Sequence, residues 1–206
     1  MRKFSDIIGQ KAIIEHLYNA LRTGSISHAY ILSGDAGSGR KTIASIFAAA
    51  LQCEDLQEEE TEEPIPGKSG TGRQPAPRMQ KRKLLEPCGR CLSCIQSESG
   101  NQPDIITISH EKPNSIGVGE IRRMRADLQI KPYSNARKVY IIPDAEKLTI
   151  PAQNALLKTL EEPPEYAVII LIANGLSAFF ADDTEQVRRA ADPGGGGGAD
   201  RELSAA

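Results

Sequence analysis

The chain has 206 residues, with 25 Lys and Arg against 27 Asp and Glu and a net charge of -2, so no global field draws it toward nucleic acid or a membrane surface. Aromatic residues make up 4% and Trp is absent, which argues against a base-stacking surface and suits a core of Ile, Leu and Ala. The opening residues 1–6 lack the apolar stretch of a secretion signal, and no run approaches the roughly 18 apolar residues of a membrane span, so a cytoplasmic protein of one α/β-sized domain with appendages is expected.

Apolar residues at 13, 14, 17, 18 and 21 recur at helical spacing and predict a helix over 11–22, ended by Thr23-Gly24-Ser25. An apolar run over 28–33 reads as a buried strand, and 43–51 as a helix. Between them lies Gly34-Asp35-Ala36-Gly37-Ser38-Gly39-Arg40-Lys41-Thr42, the outline of a phosphate-binding loop in the strand-loop-helix setting it requires. Such a loop needs glycines so that backbone N–H groups can close on phosphate, a lysine for the β- and γ-phosphates, and a hydroxyl on Mg²⁺. Gly34, Gly37 and Gly39 meet the first need. Arg40 stands where the lysine belongs, and its planar fork is no equivalent of an ammonium in a tight site. Lys41 falls where the Mg²⁺ hydroxyl belongs, and a cation cannot ligate a metal; Thr42 serves only if the loop shifts by one residue. Impaired hydrolysis is expected, with binding of ATP or ADP still open. The plain alternative is a Gly-rich turn that caps a helix and binds nothing.

All four cysteines form one pattern, Cys53 followed by Cys88, Cys91 and Cys94. In a reducing compartment this predicts four thiolates on a structural zinc ion, a closed site with no water left for catalysis. Between the first ligand and the other three the composition breaks, with seven acidic residues over 54–63 and six basic ones over 68–83. Segregated charge with Pro and Gly predicts a flexible insert over 54–87. Its basic run at 78–83 admits a DNA contact, although a solvated linker is the plainer reading. The three histidines, 16, 28 and 110, have no metal or triad spacing. Further on, strands are predicted over 105–109, 138–142 and 167–173. Helices are predicted over 119–129 and over 151–161, the latter opened by Pro151 and stopped by Pro163-Pro164. Strands alternating with helices give a parallel α/β sheet with right-handed crossovers, the Gly-rich loop at the carboxyl end of the first strand.

Several segments together resemble the AAA+ clamp-loader subunits of bacterial DNA polymerase III. Ile7-Ile8-Gly9-Gln10 is similar to that family's adenine-side entry motif, Ser27-His28-Ala29-Tyr30 to its lead into the phosphate loop, and the cysteine quartet to its zinc module. Residues 153–164, from Gln153-Asn154-Ala155 to Glu162-Pro163-Pro164, match its most distinctive stretch almost unchanged. The resemblance implies an AAA+ P-loop NTPase-like domain over 1–174, a parallel sheet flanked by helices with an inserted four-cysteine zinc module at 53–94. It implies work in DNA replication, loading a sliding clamp onto primed DNA with other clamp-loader subunits, gamma/tau and delta, as partners and no membrane. After the strand at 138–142, an ATPase of the family carries an Asp for the Mg²⁺ shell and a Glu to activate water; here those places hold Pro143 and Asp144. With Arg40, Lys41 and the stretch 110–117, this leans the resemblance toward delta-prime, a stator with a degenerate nucleotide site. The alternatives are a gamma/tau-like ATPase, in which Asp144 replaces the missing acid, and a zinc-stabilised fragment with no surviving activity. No carboxylate pair in a polymerase-like setting is present.

Residues 175–206 show neither period and include five glycines after Asp192-Pro193. The resemblance implies Leu-Pro-Thr-Ile-Leu-Ser-Arg-Cys here, whose arginine would serve a neighbour's ATP site. Back-translation of Phe180-Ala181-Asp182-Asp183-Thr184-Glu185-Gln186-Val187, read one nucleotide later, permits that string in full. A frameshift between 174 and 180 is therefore expected, leaving a non-family tail in place of the last core strand, the lid and the collar; a Gly-rich disordered extension is the alternative. Sequencing the gene should reveal an open frame, one nucleotide out of register, that runs through Ser-Arg-Cys; a stop in that frame before the motif would sink the idea.

Overall fold

The structure, a computed structural model, describes residues 2–64, 79–109 and 114–174. The tail at 175–206 and His110 lie outside the described residues. Four parallel strands, β1 (Ala29–Ser33), β4 (Ile105–Thr107), β5 (Lys138–Ile142) and β6 (Ala167–Ala173), form a sheet in the order β1-β6-β5-β4. The parallel α/β sheet expected from the alternation of elements is thus present. β2 (Gln57–Pro64) and β3 (Met79–Glu86) form a separate antiparallel pair.

β6 lies between β1 and β5, and all seven of its residues are buried, as a central parallel strand covered on both faces requires. Side chains alternate across it. Val168, Ile170 and Ile172 join Tyr30, Leu32, Val139 and Ile141 on one face, under α1 (Lys11–Thr23) and α2 (Arg40–Gln52). Ile169 and Leu171 join Tyr140 and Ile142 on the other, under α4 (Val118–Asp127) and α5 (Ile150–Glu161). In α1 the helical spacing buries Ile14 and Leu17, and the helix ends where Gly24 takes φ 70° and donates to the Leu21 carbonyl. Pro151 opens α5 where its missing N–H does no harm. Asp104 collects the backbone N–H groups of Tyr133 and Ser134 at 2.6 and 2.7 Å, fixing the turn that feeds β5.

The insert over 54–87 departs from the flexible excursion its composition predicts. Its two ends pair as β2 and β3, and the segregated charges that read as a linker face each other across the strands: Lys83 meets Glu58 at 3.3 Å and Lys81 meets Glu60 at 3.6 Å. The opposite face of β3 turns inward, with Leu84 and Glu86 buried. Residues 65–78 lie outside the described residues. A short helix, α3 (Leu92–Ser99), follows in a stretch for which the sequence predicts no element.

Phe47 of α2 is 1% exposed and meets Tyr30 edge to face at 4.9 Å, tying the helix to β1. Phe47→Ala should lower unfolding stability by about 3–5 kcal/mol in urea titration; a loss under about 1 kcal/mol would show that the α2 face is not packed as described.

Candidate functional site

The carboxyl ends of β1, β5 and β6 meet at one edge of the sheet, the edge where ligands bind in open α/β folds. The loop after β1 turns through Gly37 and Gly39 at φ 83° and 82°, a left-handed conformation that strains any residue with a Cβ. Gly39 is the N-cap of α2, which begins at Arg40. A cavity of about 370 Å³ opens here, lined by Gly37, Ser38, Gly39, Lys41, Asp144 and Asn174 among others.

Arg40 is 5% exposed, and its guanidinium is spent on the protein itself. Nε donates to Ser38 Oγ at 2.9 Å, and Nη2 donates to the Asp35 carbonyl and to Asn174 Oδ1, both at 2.8 Å. Nη1 donates to the carbonyl of Ala173. A buried guanidinium is tolerable only when its donors are met in this way. Asn174 in turn donates through its amide side chain to Glu146, so a hydrogen-bonded chain runs from the loop across the end of β6 to the segment after β5.

Lys41 lies on the cavity wall and pairs with Asp144 at 3.4 Å; Lys147 reaches the same carboxylate at 3.5 Å. Burial works against the charged form of Asp144, but Lys41 and then Lys147 outweigh it and hold the carboxyl below its usual range. Asp144 takes φ 51°, uncommon for a residue with a side chain. Thr42 lies outside this cavity and accepts from Arg2 Nη1 at 3.4 Å, beside a second cleft of about 520 Å³ between α2 and α3. A Cβ at Gly34 would lie 3.5 Å from Ser38 Oγ and 3.6 Å from Arg40 Cδ, so a side chain there would press on the buried guanidinium's stem. The six loop residues singled out in the sequence therefore share one turn, with Arg40 bound into it, Lys41 on the cavity wall at Asp144 and Thr42 outside the cavity. Pro143, which has no carboxylate, closes β5.

At the other end of α2 the four cysteine sulfurs all lie within 4.8 Å of one another. Zinc–sulfur bonds of about 2.3 Å in a tetrahedron set sulfurs roughly 3.8 Å apart, and Cys88 and Cys94 stand at 3.9 Å. Backbone N–H groups support the sulfurs: Cys88 N–H donates to Cys53 Sγ at 3.3 Å, Cys91 N–H to Cys88 Sγ at 3.4 Å and Cys94 N–H to Cys91 Sγ at 3.4 Å. Cys91 is also the N-cap of α3. N–H groups of Arg90 and then Cys91 draw the Cys88 thiol down to about 6, whereas burial pushes Cys94 and Cys53 up. Four converging sulfurs with donors aimed at them fit a thiolate-bound dication.

Residues 9–69 and 76–181 match the family described as DNA polymerase III, delta subunit. The chain belongs to that family. It is also 38% identical over 170 residues to DNA polymerase III subunit tau of Bacillus subtilis, and 33% over 168 residues to subunit tau of Escherichia coli. Each of these alignments covers 82% of this chain but only 25% and 22% of the relative, so the chain spans about a quarter of their length. Among solved structures, a DNA polymerase III gamma subunit-related protein from Thermotoga maritima is 24% identical with a TM-score of 0.48, covering 79% of this chain and 42% of that one. Membership in this clamp-loader family agrees with the sequence resemblance. No helix among the described residues is long and apolar enough to cross a membrane.

Sequence reasoning missed Asn174, Glu146, Arg2 and Glu86. Asn174 left a signal: it is the first polar residue after seven buried apolar ones, at the carboxyl end of a strand. Glu86, Arg2 and Glu146 left none, because their partners are distant in sequence or fixed by the sheet.

The depressed Cys88 thiol is mostly thiolate above about pH 6, and thiolate is the reactive form. In metal-free protein at pH 7, iodoacetamide should label Cys88 faster than Cys94, and stoichiometric Zn²⁺ should protect both. Equal labelling rates without metal, read by peptide mass spectrometry, would contradict the N–H geometry described.

Proposed function

We propose that this protein is a clamp-loader subunit of the delta-prime type, a stator with a degenerate nucleotide site that helps load the sliding clamp in DNA replication. The observation that carries the reading is Arg40. Its buried guanidinium is committed to Asp35, Ser38, Ala173 and Asn174, leaving no mobile cation at the place that serves the γ-phosphate in an active loop. Lys41 and Asp144 neutralise each other, and Pro143 supplies no carboxylate for Mg²⁺. These residues do not fit a Mg²⁺-nucleotide bound for hydrolysis, and no catalytic step is assigned to them. Cys53, Cys88, Cys91 and Cys94 hold a structural zinc ion in this reading, which stabilises the module without supplying chemistry. Gamma/tau and delta subunits are the partners, and the clamp and primed DNA are reached through their assembly in the cytoplasm. The finger arginine belongs to the neighbouring reading frame.

The gamma/tau-like alternative is favoured by one observation, the 33–38% identity to tau subunits. It requires Lys41 to leave Asp144 and turn into the loop.

Nucleotide titration separates the two readings. The zinc-loaded chain should show neither Mg²⁺-dependent ATP binding by calorimetry nor turnover, and the restored loop Arg40→Lys with Lys41→Thr, combined with Pro143→Asp and Asp144→Glu, should gain binding. ATP turnover by the unmodified chain that Lys41→Ala abolishes would overturn the stator reading. Failure to co-elute with gamma/tau and delta subunits would instead favour the inactive fragment.

A further inference from the structure

One face of β3 is given over to the N-terminal segment. Residues 82, 84 and 86 share that face by the two-residue repeat of a strand. Arg82 Nη2 donates to the Lys11 carbonyl at 3.2 Å, and Leu84 shares a core cluster with Phe4. Glu86 is fully buried, and its two carboxylate oxygens accept separately: Oε2 from Phe4 N–H at 2.8 Å and Oε1 from Ser5 N–H at 2.9 Å. On the partner strand Glu59 pairs with Lys3. The segment so held leads at one end into Ile7-Ile8-Gly9-Gln10, and at the other places Arg2 on Thr42 of the phosphate-loop helix.

Glu86 stands two residues before Cys88, whose N–H donates to Cys53 Sγ. Cys53 is the C-cap of α2, the helix that begins at the phosphate loop. The cysteine quartet thus fixes the end of β3 against α2, and β3 fixes the N-terminal segment beside the loop. We propose that Glu86 is a positioning residue through which metal occupancy of the cysteine quartet orders residues 3–7 at the border of the phosphate loop. A buried carboxylate does this better than an apolar contact, because two charge-assisted bonds fix direction as well as distance, and an N–H pair deprived of its buried acceptor stays unpaired. The inference rests on the zinc reading above and extends it from local stability to the shape of a neighbouring site.

Hydrogen exchange on the full chain tests it, with Zn²⁺ alone added or removed by a chelator, zinc content measured in parallel, and the Ile141 and Ile170 amides as reporters of the sheet. In the unmodified protein, chelation should speed exchange at Phe4 and Ser5 by about tenfold, one charge-assisted hydrogen bond's worth, while Ile141 and Ile170 hold. In Glu86→Ala, Phe4 and Ser5 should exchange fast from the outset and respond little to zinc, although the protein still takes up one zinc ion. Glu86→Gln keeps one acceptor oxygen and should restore protection at one of the two amides, a result that distinguishes positioning from mere packing. If the unmodified chain binds no zinc, the zinc reading fails and this inference with it. If the unmodified chain binds zinc and exchange at Phe4 and Ser5 does not depend on it, the coupling alone is overturned.

Discussion

Everything in this molecule hangs from β6. A strand buried on both faces and paired in parallel on both edges cannot tolerate a polar side chain or a slip of register, because a one-residue slip would exchange the side chains of its two faces. With Val168, Ile170 and Ile172 toward α1 and α2, and Ile169 and Leu171 toward α4 and α5, its register against Ala29–Ser33 and Lys138–Ile142 is fixed. That register delivers Gly34, Pro143 and Asn174, the residues after three strands, to one edge.

The same constraint explains Arg40. At the mouth of a phosphate loop the free N–H groups of the helix and the glycine turn favour an anion. Here a guanidinium cation lies just inside the helix start, and it is stable there because carbonyls at Asp35 and Ala173, and the side chains of Ser38 and Asn174, surround it. The carbonyl of Ala173 is available because β6 ends there, and Asn174 is oriented because Glu146 holds its amide. A side chain held by four acceptors on two separate elements has little freedom to serve a ligand, whereas Lys41, two-thirds exposed at its side chain, has much more.

The cysteine quartet and the hairpin extend the sheet's order to a part of the chain with little hydrophobic core of its own. The hairpin contributes Leu84 and Glu86 inward and a ladder of opposite charges outward. Exposed ion pairs of this kind contribute little to stability, so the hairpin depends on its inward face and on the sulfur cluster at its end. Cys91 acts twice, as a cluster sulfur and as the cap of α3, so that the short helix and the cluster form together.

Much of the fold was legible in the sequence because its signals are local. Helical spacing in 11–22, the apolar runs of β1, β5 and β6, Pro151 and the Gly-rich turn each follow from the period or stereochemistry of a few neighbouring residues, and the four cysteines announced their cluster by type and spacing. The hairpin was misread because Glu and Lys are poor strand formers in isolation; only pairing one run against the other makes them strands. α3 was missed because so short a helix, with Leu92 and Ile95 as its large apolar side chains, carries too little periodicity. The sequence by itself determined the order of the four sheet strands and of the helices that cover them, the chemistry available at the loop and the sulfur set. Tertiary structure alone decided that Arg40 is bound into the loop while Lys41 pairs with Asp144, and that Glu86 holds Phe4 and Ser5. The reason is that hydrogen bonds between residues so far apart along the chain have no local signature, and arise only once a parallel sheet has brought its strand ends to one edge.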